Sequence, residues 1–376
     1  MDHRVAAIAA ALFTVLLFCP PVQAAGIVID HTCTDIHQIP DSWIDRAKTD
    51  LHIAYQHTSH GSQLITGLNA LKNYPAFGTA YDWDDSGARP GAIDLDDYGI
   101  PGCPDLSQGD YINADGVTPW VTATRNLLDN PANDHINVIM WSWCSIRGHN
   151  IPRYLDNMEI LISEYGPGGT KPRARLHPVA FVFMTGHAEG LGEDGVIFAA
   201  NEQIRAHCRA HNRILFDFAD IESYNPDGAY FYNRPMWDDL DYTGDAYRDS
   251  NWGREWCAAH AGAELERLTT GNGVDGYSGC GSCAHSGSAG QGETINCVLK
   301  GRAAWWLFAR LAGWKKAGDI NADGSVALDD AILGLQVADG MTPATGVSPW
   351  ADVDGDRKIG LPEVIYVLQH VSGQRH

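Results

Sequence analysis

Four compact apolar runs set the strongest limit on how this chain folds: DLHIAYQH (50–57), HINVIMWSW (135–143), HPVAFVFMTG (177–186) and NRILFDFAD (212–220). Each is a short β-branched or apolar stretch that ends in polar residues, the pattern of a buried strand. Between them lie segments of helical period: SQLITGLNALKNY (62–74), PRYLDNMEILISEYG (152–166) and AANEQIRAHCRAHN (199–212). Strands alternating with helices imply a parallel sheet covered on both faces. The fold class predicted is therefore α/β, a three-layer α/β/α sandwich, for one large domain over residues 26–316. Its last helix, VLKGRAAWWLFARLAGW (298–314), is strongly apolar and is expected to pack on the sheet. Stretches 78–118 and 224–296 are rich in Gly, Asp, Tyr and Trp with little periodicity. They read as long surface excursions.

The first 25 residues read as a secretory signal. His3 and Arg4 open it, AAIAAALFTVLLF is its apolar core, and Val22-Gln23-Ala24 offers small residues for cleavage. An N-terminal membrane anchor is the alternative, but that core is short for a bilayer span. The mature protein is expected to be soluble and secreted. Of nine cysteines, Cys19 leaves with the signal and eight remain, an even count that suggests disulfides. Cys280 and Cys283 form a CxxC, read as cross-linking to Cys297 or to distant partners; Cys144 reads as a buried free thiol. A net charge of −21 argues against nucleic acid and anionic membranes as partners.

Residues 317–376 carry one pattern twice, DINADGSVALDD (319–330) and DVDGDRKIGLPE (352–363). A hard cation such as calcium takes six to eight oxygen ligands, which a short loop supplies from positions 1, 3, 5 and 12 and a backbone carbonyl at 7. Asp319, Asn321, Asp323, Ser325 and Asp330 fill those places, then Asp352, Asp354, Asp356, Lys358 and Glu363. Gly324 suits the sharp turn at position 6, where the second loop has Arg357. Each loop leads into an apolar helical stretch, AILGLQVA or VIYVLQHV. Two structural calcium ions in a small all-α, EF-hand-like domain are expected. The module resembles type I dockerins, which implies a cohesin-type scaffold protein as partner. Its repeats lie 33 residues apart, longer than is usual for that family. Leu328-Asp329 and Leu361-Pro362 stand where dockerins often place small hydroxyl residues.

In a parallel sheet, ligands bind beyond the carboxyl ends of the strands. The residues found there are His57 to Gln63, Trp141 to Ser145, Thr185 to Glu189, and Asp217 with Asp220. Ser282 to His285 lies just before the last helix. Ser59, on a strand-to-helix turn beside Gly61, is placed as a nucleophile with amide donors for an oxyanion, and His285 as its base; helix capping is the plainer role for Ser59. The layout resembles the SGNH-hydrolase (GDSL-like) superfamily over roughly residues 48–314. That resemblance implies a flavodoxin-like sheet and an esterase, with Ser59 and His285 carrying the family's Ser and His. Thr58 and Ser282 replace the Asp residues of the family's motifs, and MWSWCS (140–145) lacks its oxyanion Asn. The acid then comes from elsewhere, such as Asp275, or a carbonyl orients His285, or the domain is a catalytically silent relative. Gln63 or the Ser59 amide would serve the oxyanion. The substrate expected is an acylated carbohydrate or similar extracellular ester.

Two further readings come from other classes. His57 and His60 form an HxxH that, with His187, Glu189 and His285, suits zinc and a metal-bound water. The Trp and Tyr of 224–256, read as exposed in YNPDGAYFYNRPMWDDLDY, suit stacking on sugars in a glycan-binding protein without catalysis, or else ordinary loop packing.

Overall fold

The computed structural model describes residues 26–243, 249–321, 323, 325–343, 346–348, 351–354, 356 and 358–374. The signal assignment at 1–25 and the position-6 residues of both loops, Gly324 and Arg357, fall outside them. Seven strands form one sheet: β1 (Val28–Ile29), β2 (His52–Gln56), β3 (Trp83–Asp84), β4 (Ile93–Asp97), β5 (Val138–Trp141), β6 (Ala180–Met184) and β7 (Ile214–Phe216). Every pairing is parallel, in the order β1-β7-β6-β5-β2-β4-β3.

The four apolar runs become β2, β5, β6 and β7. Stretch 78–118 is not only a surface excursion, because it contributes β3 and β4. In β4, Ile93 and Leu95 are fully buried while Asp94 and Asp96 alternate with them. Two apolar side chains among aspartates are too few to stand out in a Gly- and Asp-rich stretch.

Successive side chains of the central strands enter two different cores, as a pleated strand demands. Ile53, Tyr55, Val138, Met140, Val182 and Met184 face one core. It is closed by α1 (Asp41–Asp50), α2 (Ser62–Asn73), α6 (Phe218–Ser223) and α9 (Ile295–Leu311). Ala54, Ile139, Trp141, Phe181 and Phe183 face the other, under α3 (Pro119–Leu128), α4 (Ile151–Tyr165) and α5 (Val196–His211). The second excursion holds α7 (Trp252–Ala259) and α8 (Glu264–Thr270), which pack against the first core.

Helix α9 is buried on all sides for most of its length, so it is a core element rather than a surface one. It crosses α2 backbone to backbone. A Cβ on Gly67 would lie 1.8 Å from the Cys297 carbonyl oxygen, and one on Gly301 would lie 2.3 Å from the Gly67 carbonyl carbon. Only glycine at both positions permits this approach.

After α9 come α10 (Leu328–Ala338) and α11 (Leu361–Val371), packed around Ile320, Leu333, Ala351, Val364 and Val367. Among the described residues no helix is long and apolar enough to cross a membrane. The chain leaves β2 toward β4 and β3 on one side, then returns to β5 on the other. The strand order thus reverses between β2 and β5, and the crevice expected of such a sheet lies at their carboxyl ends, where ligands bind.

Candidate functional site at the strand-order reversal

The turn from β2 into α2 forms one wall of this crevice. Its shape is forced by Gly61: a Cβ there would lie 2.2 Å from Ser142 Oγ and 2.3 Å from His57 Cβ. Tyr55 Oη donates to the Gly61 carbonyl at 3.0 Å and Ser62 Oγ donates to the Ser59 carbonyl at 2.6 Å, locking the turn from both sides. The amides of Ser59, His60 and Gly61 donate to no other group among the described residues, while those of Ser62 and Gln63 are already engaged. Unengaged amides opening a helix favour developing negative charge.

Ser59 is exposed, and its Oγ lies 3.6 Å from the sulfur of Cys144, on the turn after β5. Cys144 is half-buried; its Sγ is 4.0 Å from His60 Nδ1. On the far side of the same ring, His60 Nε2 meets Asp238 Oδ2 at 2.8 Å. The imidazole therefore carries its proton on Nε2 toward Asp238 and turns a lone pair toward the sulfur. Burial pushes the His60 pKa down to about 4, and neighbouring His187 and His285 add to that against the pull of Asp238. Burial alone would raise Asp238, but the hydrogen bond from His60 and the charge of the surrounding imidazoles hold it below the usual carboxylate range.

His60 is sandwiched. His187 stacks on it with ring centroids 3.5 Å apart and His285 at 4.0 Å, both within 6° of parallel. His285 is exposed and holds a left-handed backbone at φ 62°, as does Leu240 near Asp238 at φ 72°. Such strain in non-glycine residues persists only where the surroundings over-determine it, and it gathers at functional sites. A disulfide from Cys283 to Cys297 ties the His285 loop to α9, the one bridge among the described residues. Cys280, Cys33, Cys103, Cys208 and Cys257 are buried thiols.

The structure thus brings Ser59, His60, Cys144, His187 and His285 into one place, but no hydrogen bond joins Ser59 to His285. Gln63 faces away from the crevice. It is fully buried, its Nε2 donating to the Ala284 carbonyl at 2.6 Å and its Oε1 accepting from Lys300 at 2.5 Å, so neither end meets an oxyanion. Asp275 is exposed and pairs with no histidine among the described residues. His57 also points elsewhere, with Nε2 on Asp97 at 2.6 Å. Glu189 is held by Ser145 and Arg147 and lies 3.6 Å from His187 Nε2. Ligand atoms of His60, His187 and Asp238 lie within 4.8 Å of one another. A metal sits in the plane of each imidazole that binds it, about 2.0–2.1 Å from the nitrogen. Parallel stacked rings keep their lone pairs in separate planes, so this cluster does not converge on one ion as it stands. The aromatics of 224–242 are largely internal: Tyr232 is buried, Phe231 packs on Tyr242 and Trp252, and Tyr224 stacks on His31.

Beneath the histidines lies a buried ion pair that sequence reasoning missed. Lys300 Nζ of α9 meets Glu222 Oε2 at 2.6 Å, with both side chains at 0% exposure. Glu222 Oε1 accepts the Ala188 amide at 2.6 Å, next to His187. Lys300 also holds Gln63, whose amide grips the carbonyl beside His285. One ion pair therefore braces the segments that carry His187 and His285. No sequence signal marks Asp238 either, since it is one acid among many in an aperiodic stretch.

The two C-terminal loops fold alike. Asp330 accepts the amides of Ile320 and Ala327, at 2.7 and 2.9 Å; Glu363 accepts those of Val353 and Gly360, at 3.1 and 2.7 Å. Asn321 and Asp323 close successive side-chain turns onto Asp323 and Ser325, as Asp354 and Asp356 do onto Asp356 and Lys358. Asp319 is buried and bonded to Arg310 of α9 at 3.2 Å, fastening the first loop to the large domain. Comparison with known proteins finds no matching family model, no similar curated protein and no similar solved structure.

Proposed function

We propose that this chain is a secreted ester hydrolase, SGNH-like in the layout of its large domain, acting on acylated carbohydrate or a similar extracellular ester. The observation that carries the reading is the hydrogen bond between His60 and Asp238, with the free nitrogen of His60 turned toward the Cys144 sulfur, which in turn lies 3.6 Å from Ser59 Oγ. A hydroxyl nucleophile needs a base held in one tautomer by a third group. His60 takes the base role ahead of His285, because a carboxylate orients it. Ser59 Oγ attacks the ester carbonyl as His60 Nδ1 takes its proton, and the turn amides bind the oxyanion. The alcohol leaves with the His60 proton. Water, deprotonated by His60, then attacks the acyl-enzyme and releases the carboxylic acid and Ser59. His285 lies over His60 at the crevice mouth.

A second nucleophile is favoured by one distance: Cys144 Sγ lies 4.0 Å from His60 Nδ1. A fluorophosphonate probe applied to the folded protein in calcium separates the two readings. Labelling mapped to Ser59 and lost in His60→Ala is the expected result. A haloacetamide that alkylates Cys144 and abolishes turnover, with Ser59 unlabelled, would transfer the nucleophile role to sulfur. Reaction at neither residue would sink the hydrolase.

The C-terminal module is proposed as a dockerin-like calcium domain. Carboxylate oxygens of Asp352, Asp354 and Glu363 lie within 4.8 Å of one another, a donor set suited to calcium. Bound calcium would stabilise the module by mass action, by about 2.7 kcal/mol at a hundred times its dissociation constant. Chelation is therefore expected to lower the melting temperature of the helical pair, read by circular dichroism, and added calcium to restore it; identical melting with chelator and with calcium would remove calcium from the proposal. Leu328, Ile332 and Leu335 on α10 are exposed, and so are Leu361, Ile365 and Leu368 on α11 at the same relative positions. This duplicated apolar stripe supports docking to a cohesin-type scaffold protein.

A further inference from the structure

Helix α2 begins beside Ser59, and one of its faces carries only uncharged polar groups: Ser62, Thr66, Asn69 and Asn73. Their spacing keeps them on a single stripe about 16 Å long, at 1.5 Å per residue. Thr66, Asn69 and Asn73 line a groove of about 800 Å³, walled opposite by Tyr277, Ser278 and Ser282. That wall runs directly into Cys283 and His285, so the groove flanks the crevice at both of its catalytic segments.

Three properties of the groove define what fits it. In a chain of net charge −21, none of the residues lining it is charged. The side chains of Thr66, Asn73, Ser278 and Ser282 hydrogen-bond to no other described residue, so their donors and acceptors are open to a ligand. Tyr277 presents a half-buried ring whose hydroxyl is already committed to the Leu268 carbonyl at 2.7 Å, leaving the ring as an apolar surface. Hydroxyls and amides that both donate and accept, set beside one aromatic ring and free of charge, match a ligand with hydroxyls at its edges and C–H groups on its faces. A neutral sugar chain has that chemistry; an anionic polymer or an acyl chain does not.

We infer that the α2 groove is a binding subsite for a neutral carbohydrate chain, the alcohol side of the ester whose cleavage is proposed above. The inference rests on that reading for its role in turnover, but the binding itself is testable without it. Isothermal titration of the full-length protein in calcium would use xylotetraose, cellotetraose and mannotetraose as neutral probes and tetragalacturonate as the anionic one. At least one neutral probe is expected to bind, with tetragalacturonate binding at least ten-fold more weakly. In Thr66→Val/Asn73→Ala/Ser282→Ala, the dissociation constant for the neutral probe is expected to rise about ten-fold or more, the loss of two or three modest hydrogen bonds. These side chains make no hydrogen bonds among the described residues, so the variant should melt like wild type, and a second variant, Ser278→Arg, blocks the same groove by bulk and charge. Binding unaltered in both variants, or no binding of any neutral probe, would overturn the subsite. Binding lost in the variants of a protein that cleaves no ester would keep the subsite and discard the hydrolase.

Discussion

Replacing Asp238 with asparagine is expected to lower ester turnover by about 10³–10⁴-fold, with KM and fold close to wild type. The reason is the tautomer. Asp238 accepts the Nε2 proton of His60 at 2.8 Å, leaving Nδ1 as a lone pair toward the Cys144–Ser59 side of the ring. An asparagine amide that donates to Nε2 would move the proton to Nδ1 and leave no base. Because burial pushes His60 down to about 4, the base is neutral from about pH 5 upward, and kcat/KM is expected to fall only as pH drops through about 4. Stability follows the same shift. With a folded pKa below the unfolded value of about 6.5, the unfolded chain takes up the proton first as pH falls. Stability present above pH 6.5 is thus lost progressively down to about pH 4, and His60→Gln should flatten that slope. Asp238, held below its ordinary value, adds a second loss as pH falls further. Wild-type turnover in Asp238→Asn would remove His60 from the base role.

Lys300→Met is expected to cost about 3–5 kcal/mol of stability in urea unfolding, because it leaves the buried Glu222 without its counter-ion. Burial pushes Lys300 down and Glu222 up, so water exclusion works against both charges and each depends on the other. Adding Glu222→Gln should recover much of the loss, since glutamine carries no charge and still offers an oxygen to the Ala188 amide. The double variant should remain slow as an enzyme, for Gln63 then loses its lysine donor and the hold on the His285 loop loosens. A single variant that unfolds like wild type would mean that water reaches the pair.

Several elements are legible in the residues alone. The strands β2, β5, β6 and β7 follow from dense apolar runs, since a strand covered on both faces must be apolar throughout. The repeated loops follow from carboxylate spacing that the folded hydrogen bonds reproduce in both copies. The turn at the candidate site follows from the place of Ser59 and Gly61 between a strand and a helix. All of these are local, set by chemistry within one or two dozen residues.

Tertiary structure alone decides the rest. Asp238 reaches His60 across 178 residues, and Lys300 reaches Glu222 across 78. No periodicity selects one acid from 47 Asp and Glu residues. The sheet selects them. Parallel strands carry their loops to one edge, and α9, buried on all sides, holds the Lys300 charge where the buried Glu222 carboxylate meets it.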